Sequence, residues 1–118
     1  MVTALQTVST TLNSIYVPVV TDLFTARAAA DAEAKQRNIA KEFLMTNYKM
    51  LSIVRRTLKL KFIAIDIGAP LTYVSRIENG IITGIPTDVI VRTLSVYAKL
   101  EEHDNGLTRS LDLCKASG

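Results

Sequence analysis

The chain has 118 residues, of which 48% are hydrophobic and 21% charged, with a formal net charge of +3 and a single cysteine. This balance excludes a disordered polymer and is enough for a buried core, while the lone Cys114 excludes an intrachain disulfide or a cysteine-rich zinc site. No apolar run reaches bilayer length, Ile15–Val20 being interrupted by Pro18, and no Lys or Arg precedes Arg27 to lead a secretion signal, so a cytoplasmic protein with no membrane association is expected.

In chain order, Leu5, Val8, Leu12 and Ile15 recur three and four apart and predict a first amphipathic helix. Pro18 disfavours helical geometry at Val17, so a break is expected at Tyr16–Val17. Thr21 to Tyr48 reads as one long helix whose centre is rich in Ala, with Asp31–Lys35 and Glu33–Arg37 in the favourable order for ion pairs. Residues 1–46 therefore read as an N-terminal helical extension, either a dimerisation arm or a packed one, with no catalytic or metal-ligand spacing.

Beyond Asn47 the pattern changes to short helices separated by glycines. Met50–Leu58 is expected to be helical, with Leu51, Val54 and Leu58 on one side. Leu60–Ile67 is ambiguous by local rules, because Ile63, Ile65 and Ile67 alternate as in a strand. Pro70 suits the first turn of a helix reaching about Asn79, with Val74 and Ile77 inward and Gly80 ending it. A helix from Thr87 to about Leu100 follows, with Val89, Ile90, Thr93, Leu94 and Tyr97 on its apolar face. A polar turn at 101–106 and a short helix carrying Leu107, Leu111 and Cys114 complete a C-terminal tail of residues 104–118.

Charge is unevenly placed. Residues 51–80 hold Arg55, Arg56, Lys59, Lys61 and Arg76 against Asp66 and Glu78, and no acid lies between Glu42 and Asp66. Such a cluster suits a polyanion, since neutralised phosphates release counterions; a solvated basic helix face is the alternative.

Residues 68–80 run Gly-Ala-Pro-Leu-Thr-Tyr-Val-Ser-Arg-Ile-Glu-Asn-Gly. The string resembles the turn and recognition helix of the phage repressor/Cro-type helix-turn-helix family, the XRE family, whose usual form is Gly-Val-Ser-x-x-x-Ile-Ser-x-Ile-Glu-Asn-Gly. Gly68 permits the left-handed backbone of a tight turn, and Ala64 is the small residue that allows close helix crossing. Leu58 sits where the family has its Leu before the first helix of the motif; Ile63, Ala64 and Ile67 match that helix's Leu-Ala-x-x-Leu pattern, which favours helix over strand there, and Thr93–Leu100 looks like the family's last core helix. The resemblance covers roughly residues 50–100 and implies an all-α fold, a four- to five-helix repressor-like domain at 47–103 with the N-terminal extension beside it.

The resemblance further implies a sequence-specific regulator of transcription, expected to be a repressor, that places the 70–79 helix in the major groove of double-stranded DNA as a homodimer. By position, Leu71, Thr72 and Arg76 would face bases, with Ser75 on the same outward side and Tyr73 near the groove wall or a phosphate. Lys59 and Lys61 would contact phosphate. The competing roles are a helix cap or ion pair for Arg76 and plain surface lysines for the other two. Glu78 and Asn79 are expected to fix the helix end.

There are departures from the family pattern. Leu60 stands where the family usually has Gln, and Ile53 where an Arg often pairs with the Glu of the Glu-Asn-Gly string; Arg55 or Arg56 could substitute. Phe62 and Ile65 occupy normally polar positions, and Ile81, Ile82 and Ile85 add further apolar surface, which the N-terminal helices or a second subunit are expected to cover. That surface keeps a second class open: a protein-interaction module on the same fold, such as an antirepressor, an antitoxin or a polymerase-binding factor. An enzyme is not expected, because His103 lies in a polar stretch with no nucleophile–base constellation, and no cofactor or metal is implied.

Overall fold

The computed structural model describes residues 3–15, 22–56 and 58–117, with side chains described as far as Glu102. Among the described residues there are five helices and no strand: α1 (Ala4–Ser14), α2 (Leu23–Arg55), α3 (Leu60–Ile67), α4 (Leu71–Glu78) and α5 (Thr87–Ser117). The all-α expectation holds. No helix among the described residues is long and apolar enough to cross a membrane.

Helix α1 begins in a capping box. The amide of Gln6 donates to the Thr3 hydroxyl at 3.2 Å and the amide of Thr3 donates back to Gln6 Oε1 at 3.4 Å, which satisfies orphan first-turn donors. The Thr3 hydroxyl also donates to Glu101, tying the start of α1 to α5. Leu5, Val8 and Leu12 are buried as their spacing predicts, and they pack α1 onto α5 and α2. The break expected at Tyr16–Val17 lies outside the described residues.

Helix α2 differs from expectation. It starts at the Asp22 cap, whose carboxylate accepts from the Thr25 amide at 2.8 Å and is held below the usual carboxylate range by that bond. It then runs unbroken to Arg55, so the expected end at Tyr48 and restart at Met50 are not found. No Gly or Pro interrupts it, and the Asn47 amide donates within the helix to the Phe43 carbonyl at 3.2 Å. Leu44 and Leu51, seven apart, lie on one buried stripe that crosses the proposed boundary between residues 46 and 47. Neither Asp31–Lys35 nor Glu33–Arg37 forms an ion pair among the described residues. Arg37 turns instead to the start of α5, its Nε donating to Thr87 Oγ1 at 3.2 Å and its Nη2 to the Ile85 carbonyl at 3.4 Å.

Helix α5 also continues through the expected polar turn at 101–106, so its backbone does not restart as a separate short helix. The side chains of His103, Leu107, Leu111 and Cys114 lie outside those described. Thr93 is buried on this helix without an unpaired hydroxyl, because it donates to the Val89 carbonyl one turn earlier at 2.7 Å.

One apolar cluster joins all five helices, with Leu5 and Leu12 of α1, Leu44 and Leu51 of α2, Ile63, Val74 and Ile77 of α3 and α4, and Ile90, Leu94 and Tyr97 of α5. Two residues expected on the surface belong to it. Ile82 is 7% exposed and Ile85 fully buried, because the segment after α4 folds back into the core; Ile81 alone of the three stays partly outside at 46%. The N-terminal helices do not cover the outward side of α3. Phe62 and Ile65 remain 49% and 72% exposed, since α1 packs on α5 and α2.

Candidate nucleic-acid interface

The α3–α4 pair is the element that presents the predicted site. Ile63, Ala64 and Ile67 bury one side of α3, which resolves the strand–helix ambiguity: in a helix these three share a face, whereas in a strand Ala64 would oppose the other two. Gly68 closes α3 in the left-handed region at φ 74°, ψ 34°, and its amide donates to the Ala64 carbonyl at 2.9 Å. The Ala69 amide donates to the same carbonyl at 3.1 Å. The carbonyl of Ile67 is satisfied from a distance by Arg92 Nη1 of α5 at 2.7 Å, while Arg92 Nη2 pairs with Asp88 at 3.0 Å.

On α4, Val74 and Ile77 are fully buried and anchor the helix. Leu71, Thr72 and Arg76 are exposed and Ser75 half-buried, all on the opposite face, as the spacing predicts. Arg76 forms no ion pair or hydrogen bond through its side chain among the described residues, so the competing cap or ion-pair role is not seen. Tyr73 is half-buried and packs against the core. Lys59 is the N-cap residue of α3 and is exposed, whereas the Lys61 ammonium sits 5.4 Å from the centre of the Phe62 ring. Neither α3 nor α4 has a side-chain cap at its N-terminus, so the first-turn amides have no acceptor at the N-cap side chain.

The far end of α4 is fixed by polar contacts. The Asn79 side-chain Nδ2 donates to the Ser75 carbonyl at 2.8 Å, and Gly80 turns the chain at φ 76°. A Cβ on Gly80 would stand 3.2 Å from Tyr48 of α2, so glycine serves both the backbone and the close approach. Glu78 is the centre of a network. Arg55 Nε and Nη2 donate to its two oxygens at 2.7 and 3.0 Å, Arg55 Nη1 donates to the Leu58 carbonyl at 2.7 Å, and the Tyr97 hydroxyl donates to Glu78 Oε2. The bond to Glu78 raises the Arg55 pKa, and burial, then the bond to Glu78, pushes the Tyr97 hydroxyl above its ordinary value.

Of the two arginines that sequence left open as the partner of Glu78, Arg55 is thus the one that pairs; Ile53, where the family pattern has its Arg, is 70% exposed. Sequence reasoning missed the roles of Arg92 and Tyr97, which reach across 25 and 19 residues. The only local signal was the Asp88–Arg92 spacing. Three groups of residues therefore meet in this region: an outward face with Thr72, Ser75 and Arg76, lysines at the start of α3, and a polar network beneath. No group of acids, His or Cys with metal-binding geometry occurs among the described residues. No protein-family model, curated protein or solved structure significantly matches the chain.

Proposed function

We propose that this protein is a sequence-specific double-stranded-DNA-binding regulator of the phage repressor/Cro-type helix-turn-helix family, acting as a repressor and a cytoplasmic homodimer. The observation that carries the reading is the outward face of α4. It offers Thr72, Ser75 and an unpaired Arg76 to solvent, while Val74 and Ile77 hold the helix in place. A guanidinium free of intramolecular partners can make the two-pronged contact to guanine O6 and N7, and a threonine can hydrogen-bond a base or touch a thymine methyl. Lys59 and Lys61 supply phosphate contacts at the start of α3, where the unsatisfied helix amides also favour an anion. No catalytic step and no cofactor enter this reading.

A second reading, a protein-interaction module on the same fold, is favoured by one observation. Phe62 and Ile65 stand at the centre of the outward side of α3, and a phosphate backbone gives them no partner.

Selection of bound duplexes from a random pool by the purified full chain tests the first reading. An enriched inverted repeat with half-sites about one DNA turn apart supports it and the dimer together. Absence of any enrichment at low salt overturns it and leaves the interaction module.

A further inference from the structure

We propose that Arg55, Glu78 and Tyr97 act as a positioning lock that sets where α4 stands relative to the lysines of α3, so that the lock governs discrimination between sequences; this rests on the DNA-binding reading of the α4 face. Glu78 is the last residue of α4 and Arg55 the last of α2. The guanidinium holds both carboxylate oxygens, at 2.7 and 3.0 Å, and spends its remaining terminal nitrogen on the Leu58 carbonyl at 2.7 Å, inside the connection that leads to Lys59. Tyr97, fully buried in the middle of α5, donates its hydroxyl to the same carboxylate. One carboxylate therefore joins α2, α4, α5 and, through Arg55, the α2–α3 connection.

Apolar contacts are non-directional. The two fully buried anchors of α4, Val74 and Ile77, carry no bond of fixed direction, whereas a two-pronged charged contact fixes both angle and distance. Base readout depends on that placement. Phosphate contact by flexible lysine side chains depends on it much less. Loosening the lock should therefore lower specific binding and leave non-specific binding nearly intact, a split that a general loss of stability would not produce.

The test uses the full chain and the Tyr97→Phe and Arg55→Lys variants, the first keeping the buried ring and the second the charge. Binding to the selected duplex and to an unrelated duplex is measured across a salt series, with thermal unfolding alongside. Tyr97→Phe should reduce the specific-to-non-specific ratio by about 3- to 10-fold, the equivalent of one hydrogen bond, with an unchanged salt slope on the unrelated duplex. Arg55→Lys, which loses the fork geometry, should reduce it at least as much. A ratio unchanged in both variants overturns the lock while leaving the DNA reading standing. Should the wild type enrich no duplex, the DNA reading fails, and the lock is then judged by hydrogen exchange on the free proteins. Faster exchange in both variants, confined to the α4 amides and the 58–60 connection, supports it as a fixture of α4; exchange that is unchanged, or faster throughout the chain, overturns it.

Discussion

The bundle of α1, α2 and α5 and the pair α3–α4 feed one core, but they are fastened to it by different means. Each long helix lays an extended apolar stripe against its neighbours, and polar bonds such as Gln36 Nε2 to the Leu12 carbonyl at 2.8 Å merely finish helix ends. The short helices bury Ile63, Ala64 and Ile67 on one and Val74 and Ile77 on the other, and each is pinned at its C-terminal end by an arginine from elsewhere. Arg92 holds the last carbonyl of α3 and Arg55 the last side chain of α4. Apolar burial supplies most of the free energy and is tolerant of direction; charged bonds add little net stability but fix geometry. A rigid, directional attachment is what the proposed DNA-reading role of α4 would require.

The largest expected effect is in the bundle. Leu94 is fully buried in α5, and Leu94→Ala should destabilise by about 3–5 kcal/mol, through lost transfer energy and the cavity left behind. Chemical denaturation checks it, and a loss under about 1 kcal/mol would mean that the core seen around α5 is not the one that holds the fold. On the proposed DNA-reading face of α4 the ordering reverses. Arg76→Ala should leave stability within about 0.5 kcal/mol, because the side chain is exposed and unpaired, yet weaken binding to a selected duplex by about 1–3 kcal/mol and relax preference at one base pair. An electrophoretic shift unaffected by this substitution would count against Arg76 as a base reader.

The two regions were not equally legible in the sequence. Local patterns carried α3 and α4 well, because Ile63, Ala64, Ile67, Gly68, Val74 and Ile77 sit at spacings that a helix, a left-handed turn and a second helix require. The long helices were cut too short. Asn47 and the 101–106 stretch carry residues of modest helix propensity, and packing overrides such preferences: in α2 the Leu44–Leu51 stripe continues through Asn47, whose side chain bonds inside its own helix. The fastening of the α3–α4 pair was the least legible part. The resemblance left Arg55 and Arg56 open as the partner of Glu78, but nothing local links Tyr97 to Glu78 or Arg92 to the Ile67 carbonyl, and Tyr97 read only as one more apolar position on α5.

Tyr97 offers a way to separate the two kinds of attachment by pH. Burial first, and then the bond to Glu78, raises its pKa in the folded protein above the value of about 10 expected in an unfolded chain. The folded state thus keeps the proton where the unfolded state releases it. The contribution is fully present below about pH 10 and is lost as pH rises above that point. Stability measured by chemical denaturation should therefore decline from about pH 10 upward, and less steeply in Tyr97→Phe. Identical alkaline slopes would mean that the hydroxyl is not held as described.

The smallest effect on folding is expected where the exposed apolar residues lie, and it tests whether the α3–α4 pair stands alone. Phe62 and Ile65 are 49% and 72% exposed, and the Lys61 ammonium lies over the Phe62 ring, 5.4 Å from its centre. An exposed cation–π contact contributes only about 0.5–1 kcal/mol, and exposed apolar side chains contribute little more. The double substitution Phe62→Ser and Ile65→Ser should therefore change stability by no more than about 1 kcal/mol at low protein concentration. Their neighbour Ile63, 1% exposed on the same helix, should cost several times as much when truncated to Ala. A double substitution as damaging as Ile63→Ala, with an effect that grows with protein concentration, would show that Phe62 and Ile65 are buried between two copies. The contrast between a self-sufficient bundle and a free α3–α4 face would then give way to an assembly in which α3 joins one copy to another.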